Sequence, residues 1–135
     1  RWVELEVFVI KSLTQFTGHA GLDYGDALLI GLDDDALGGP RIAAWAGGNE
    51  IHLDVVDHPL PPLAYPALIS RGWEAFENAP QSFYKQAAQG EIDSVAQEVV
   101  WILRDLEGIP TPAGLTVWAR GPAAAVARIL GWTRD

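Results

Sequence analysis

Between Glu50 and Pro62 the chain reads EIHLDVVDHPLPP, which gathers His52, Asp54, Asp57 and His58 on one short segment. Imidazoles and carboxylates are donors for first-row metals and partners in general acid–base chemistry. Residues two apart on a strand point the same way, so His52 and Asp54 can share one side. They supply only two ligands. His58, Asp57 or one of Asp33, Asp34 and Asp35 would have to complete a set, and no metal motif fixes that geometry. The same letters also describe a half-buried strand, with Ile51, Leu53 and Val55 facing a core and His52, Asp54 and Val56 facing the wetter side before prolines end it. The strand reading is preferred, with no metal and no cofactor, and with His52 and Asp54 as polar contacts for a partner.

Other chemistries find no anchor. None of Ser12, Ser70, Ser82 and Ser94 sits in a G-x-S-x-G elbow, so their pairing with His19, His52 or His58 has no geometric warrant. Carboxylate pairs lie on expected helix or turn surfaces. DDDALGG at 33–39 lacks the alternating ligands and closing Glu of a calcium loop and reads as a solvated turn. Neither a dinucleotide-binding glycine motif nor a phosphate-binding lysine loop occurs. With no Cys, thiolate nucleophiles, disulfide frameworks and Cys-rich zinc sites are excluded. No catalytic residue is assigned, and the chain is expected not to be an enzyme.

The formal charge of −9, without any run of Arg and Lys, repels a phosphate backbone and disfavours nucleic acid and anionic membranes. No stretch approaches 18 uncharged apolar residues, and Glu4, Glu6 and Lys11 break the apolar N-terminus. Membrane insertion is not expected, and a soluble, cytoplasmic chain is. At 135 residues, 49% of them hydrophobic, one core is the natural outcome, so a single domain spanning 1–135 is predicted.

Trp2, Leu5, Val9, Leu13 and Phe16 recur at helical spacing and predict an N-terminal helix, although Val3, Leu5, Val7 and Val9 also alternate as a strand would. ALLIGL at 27–32 predicts a strand. RIAAWAG at 41–47 and IHLDVV at 51–56 predict a hairpin turning at Gly47, Gly48 and Asn49, residues that tolerate positive φ. HPLPPLAYP at 58–66 loses four backbone donors and must be a rigid turn, with a short helix from near Pro66 through Ser70. Residues 74–90 fit a packed loop or an edge strand.

IDSVAQEVVWILRDLEG at 92–108 is the strongest helix, capped by Asp93 or Ser94 and closed by Gly108. LTVWA at 115–119 predicts a last strand and PAAAVARIL at 122–130 a last helix with Pro122 in its first turn. The sum is an α+β domain, an antiparallel sheet with helices against it. Of the six Trp residues most belong in or beside the core. Trp45 stands opposite the small-residue face of its strand, and Trp101 widens its helix's apolar arc, so both are candidate aromatic anchors for a partner.

The run VAQEVVWILRDLEGIPTPAGL at 95–115 resembles a segment of actinobacterial proteins with a type III secretion chaperone-like domain, a helix ending in LR-D followed by a G-[VI]-P-x-P-x-x-L turn. Val99, Leu103, Arg104, Asp105, Gly108, Ile109, Pro110, Pro112 and Leu115 carry the match. RIAAWAGGNEIHLDVVDHPLPP resembles that family's central hairpin, and Gly72-Trp73 falls where a Gly-Trp pair is expected. The resemblance implies a twisted antiparallel sheet with helices, no enzymatic activity, a protein or extended-peptide partner, and often a homodimer. A protein- or peptide-binding module is therefore the leading expectation, with contacts at Trp45, His52, Asp54 and Trp101. An acidic immunity-type inhibitor of a basic toxin, motivated by the −9 charge, and an enzyme using His52, Asp54 and His58 are the competing readings.

Overall fold

The computed structural model describes residues 1–16, 28–32, 41–47, 50–55, 60–77 and 79–119. The elements run α1 (Trp2–Phe16), β1 (Leu28–Leu32), β2 (Ile42–Gly47), β3 (Glu50–Val55), α2 (Ala64–Ser70), β4 (Glu74–Phe76), β5 (Ala79–Ala88), α3 (Ile92–Val100) and β6 (Leu115–Ala119). The six strands form one antiparallel sheet in the order β4-β5-β3-β2-β1-β6. The α+β architecture read from the sequence is the one observed.

Period-two alternation sorts the strands. Leu28 and Ile30, Ile42 and Ala44, Ile51, Leu53 and Val55, Phe83, and Leu115 and Val117 are buried, and the pairing register aligns them on one sheet face. The helices cover that face. On α1 the 3.6-residue period brings Leu5, Phe8, Val9 and Leu13 to full burial and leaves Val3 and Val7 in solvent, so the helical spacing outweighs the competing strand alternation. α3 packs on α1 with Val95, Ala96, Val99 and Val100, and the buried residues of both helices join those of the sheet in one core.

The β2–β3 hairpin has the expected register, Gly47 opposite Glu50 and Trp45 opposite His52. Gly48, Asn49, Val56, the segment 33–40, Asp57, His58 and the expected helix at 122–130 lie outside the described residues. The ambiguous stretch 74–90 is two strands and a 3-10 turn. Pro80 is tolerated because β5 pairs with β3 only from Phe83 onward. α2 begins at Ala64, two residues before Pro66, which occupies its first turn, where a missing N–H leaves no helical bond unmade.

The long helix of 92–108 departs from expectation at both ends. Its start is a 3-10 turn over Gln89–Glu91, in which the Glu91 carboxylate accepts from the Ala88 N–H at 3.3 Å, rather than a cap from Asp93 or Ser94. From Trp101 to Leu106 the coil widens into a π-helical segment, where the Glu107 N–H donates to the Ile102 carbonyl at 2.9 Å. Gly108, at φ 73°, ends it, and the Ile109 N–H closes onto the Leu103 carbonyl at 3.0 Å. Arg41, entering β2, donates to Glu107 Oε1 at 2.6 Å and ties this end to the sheet, both side chains being largely buried.

Candidate peptide-binding surface

β5 is flanked unequally. On one side it pairs with β3 over Phe83–Ala88, whereas on the other β4 reaches only Ala79, Phe83 and Tyr84. Among the described residues no strand pairs with Gln86–Ala88 on that outer side. The Ala88 N–H donates to Glu91 Oε1 at 3.3 Å, so at this position the backbone donor points away from β3. In an antiparallel ladder every second residue turns its N–H and C=O to the same side, so Gln86 belongs with Ala88 to the outward set. An exposed edge of this kind is a template for another extended chain.

A hollow lies on each side of the edge. On the sheet face opposite the helices, His52, Asp54, Phe76, Tyr84, Lys85 and Gln86 line a concavity of about 220 Å³. The Phe76 and Tyr84 rings meet there, 4.9 Å between centroids and tilted by 48°. The Gln86 side-chain amide lies 3.3 Å from His52 Nδ1, within hydrogen-bonding distance. On the helix side, a groove of about 100 Å³ runs between β5 and α3, lined by the apolar Leu53, Ala87 and Val95 and by the polar Lys85, Gln86, Glu91, Ser94 and Glu98.

Asp54 is half-buried on the concavity side, paired with Ala43 on one neighbouring strand and Tyr84 on the other. Burial pushes its carboxyl above the ordinary value of 3.8, and nearby His52 offsets only part of the rise. Its folded form thus holds a proton more tightly than its unfolded form, so ionisation costs stability. That cost is absent below pH 3.8, grows as pH climbs toward the folded value, and is complete above it. Asp54→Asn is expected to raise stability at pH 7 by about 0.5 kcal/mol after allowance for half exposure, with the gain vanishing in acid. Urea denaturation of both proteins at pH 7 and pH 3.5 checks this, and an Asn variant less stable at pH 7 would refute it. A charge kept at a cost to folding is a group available for recognition.

The inner end of the groove is closed by a charge cluster that sequence reading does not reach. α2 ends in a Schellman turn: Gly72, at φ 88°, donates to the Ile69 carbonyl, and the Trp73 N–H reaches Leu68 at 3.0 Å. This turn aims Arg71 and Trp73 at Glu98 of α3. Arg71 grips the carboxylate with Nε at 3.0 Å and Nη2 at 2.8 Å, and Trp73 Nε1 donates to Oε1 at 2.8 Å. Lys85 Nζ lies 3.9 Å from the same oxygen and donates to the Arg71 carbonyl at 2.7 Å. Burial raises the Glu98 pKa, but the bonds from Arg71 and Trp73, with Lys85 nearby, outweigh it and hold the carboxyl below its ordinary value. Only the Gly72-Trp73 pair, through its resemblance, gave a sequence signal for this cluster.

Of the four nominated residues, the fold brings three together. His52 and Asp54 share the concavity, and the Trp45 backbone is the ladder partner of His52, its side chain being outside the described groups. Trp101 belongs to the helix layer, half-buried, with the Arg71 guanidinium 4.1 Å above its ring. Among the described residues no group of three metal-ligating side chains converges, and no helix is long and apolar enough to cross a membrane. His58, Asp57 and Asp33–Asp35 lie outside them.

An antiparallel sheet with helices on one face, and a strand edge between two hollows that no described strand covers, offers a surface for another chain. The chain belongs to the TY-Chap3 family, described as T3SS (YopN, CesT) and YbjN peptide-binding chaperone 3, whose pattern matches residues 17–121. It is a chaperone-like module that binds protein or peptide, in agreement with the resemblance seen in residues 41–115. No curated protein and no solved structure matches it.

Proposed function

We infer that the outer edge of β5 at Gln86–Ala88 is where this module holds an extended segment of its partner. The open edge between two hollows carries this reading. A segment added there gains backbone hydrogen bonds irrespective of sequence, while its alternate side chains drop into the concavity and the α3 groove. His52 and Asp54 supply polar selectivity in the concavity, Trp45 stands next to them on the ladder, and Trp101 serves a partner that continues around α3. A second copy of the chain is the rival occupant of the same edge. The unit that does this includes α1, which precedes the matched span and buries Leu5, Phe8, Val9 and Leu13 in the common core.

Gln86→Pro deletes the outward N–H while leaving the backbone bonds that β5 makes to β3, and Gln86→Ala, which loses the same side-chain contact with His52 but keeps the N–H, is its control. Binding of unfolded-protein peptides on an array is expected to fall about tenfold or more, roughly the worth of one lost hydrogen bond with a steric block. Thermal melting of the variant verifies that it is folded, and protection of the Gln86 amide in hydrogen exchange when peptide is added gives an independent readout. Undiminished array binding by the folded variant, or an unprotected amide, would sink the assignment; a dimer that Gln86→Pro dissociates would give the edge to a second copy.

A further inference from the structure

Glu91 occupies the proposed edge in a way that predicts what the edge prefers to hold. Its carboxylate accepts the hydrogen bond from Ala88, the outward donor an added strand would use, and it also rims the α3 groove. The other carboxylate of that groove, Glu98, is already saturated by Arg71 and Trp73. Asp93, in the first turn of α3, and Glu50, paired with Ala88 on the sheet face opposite the helices, are exposed acids at the same end of the sheet. Lys85, the one cation among the described residues lining the groove, is held at its inner end between Glu98 and the Arg71 carbonyl, which leaves Glu91 as the lining carboxylate without a cation partner, above an apolar floor of Leu53, Ala87 and Val95.

We propose that the edge selects an extended peptide carrying a lysine or arginine at the position facing the α3 groove, and that Glu91 is the residue that recognises it. An arriving strand takes the Ala88 N–H from Glu91, and the displaced carboxylate pairs with the incoming cation while the aliphatic stem lies on the apolar floor. A neutral or acidic residue at that position leaves the displaced carboxylate uncompensated or repelled. The groove volume of about 100 Å³ suits a single side chain. The acidic chain as a whole, at −9, draws the same partners by long-range attraction. This selectivity rests on the edge reading above, and the two fail in different ways.

The probe is a panel of fluorescein-labelled dodecapeptides of alternating threonine and valine, each with one central Lys, Arg, Leu, Gln or Glu, titrated into the full chain and followed by anisotropy. Lys and Arg peptides are expected to bind about tenfold tighter than the Glu peptide, with a preference that shrinks in high salt. Glu91→Gln, which keeps an acceptor for Ala88 and removes the charge, should reduce the preference to less than about twofold, and Glu91→Arg should reverse it. Glu91 is exposed, so both variants are expected to fold, and circular dichroism verifies it. Binding without a charge preference, or a preference that Glu91→Gln leaves intact, overturns the selectivity and leaves the edge reading standing. Absence of binding by every peptide overturns both.

Discussion

Replacing Trp73 with alanine is expected to lower stability by about 3–5 kcal/mol, the range for removing a large aromatic from a packed core. For a chain of this length that is roughly 10–15 °C in the melting midpoint. Trp73 is 2% exposed and is one of the largest side chains fully enclosed by the core. Its indole N–H also supplies one of the three short donors to Glu98. Trp73→Phe separates the two losses, since it keeps most of the ring volume and removes only the donor. It should cost about 1–2 kcal/mol. Thermal denaturation followed by circular dichroism measures both, and a Trp73→Ala loss under about 1 kcal/mol would show that the ring is not the keystone of this corner.

Glu98→Ala is the second large effect, about 2–3 kcal/mol. Breaking a buried ion pair by deleting one partner commonly costs more, but the Arg71 side chain is 40% exposed and can recover water. The Trp73 N–H cannot, being buried. The pH dependence has a definite sign: the folded carboxyl sits below 4.5, so its contribution is complete above pH 4.5 and is lost as pH falls through the folded value. Wild type should therefore lose stability in acid faster than the variant, and the two unfolding curves should converge. Equal slopes below pH 4.5 would remove the carboxylate from the account. In the double variant with Trp73→Ala the two losses should fall short of additive, because each removes the same Nε1 bond.

The elements that could be read from sequence are those whose cause is local. Gly47-Gly48-Asn49 between alternating runs gives the β2–β3 hairpin, helical spacing gives α1 despite its valines, and LTVWA is β6 residue for residue. β5 stayed undecided between loop and edge strand because Pro80 and its polar residues suit either, and what makes them a strand is β3 alongside. The π-helical turn at Trp101–Leu106 has no signature in the residue pattern, which reads as continuous α-helix. His52 and Asp54 were visible through strand alternation. The cluster around Glu98 was not, since Arg71, Trp73, Lys85 and Glu98 meet only after α2, β5 and α3 have docked, and Glu91 carries no signal until Ala88 is known to end an open edge.

The strand order also sets a timetable for assembly. β2 and β3 meet within a few residues, and β5 can join them as soon as it exists, but β1 finds β6 with Leu28 opposite Ala119. Roughly ninety residues of chain must be closed into a loop for that pair, which slows the search far more than it weakens the product. On the ribosome, β1 therefore emerges long before its neighbour and presents the hydrogen-bonding side later covered by Leu115–Ala119 to whatever is nearby. Until β6 has been made, a protein that holds extended segments presents such a segment itself.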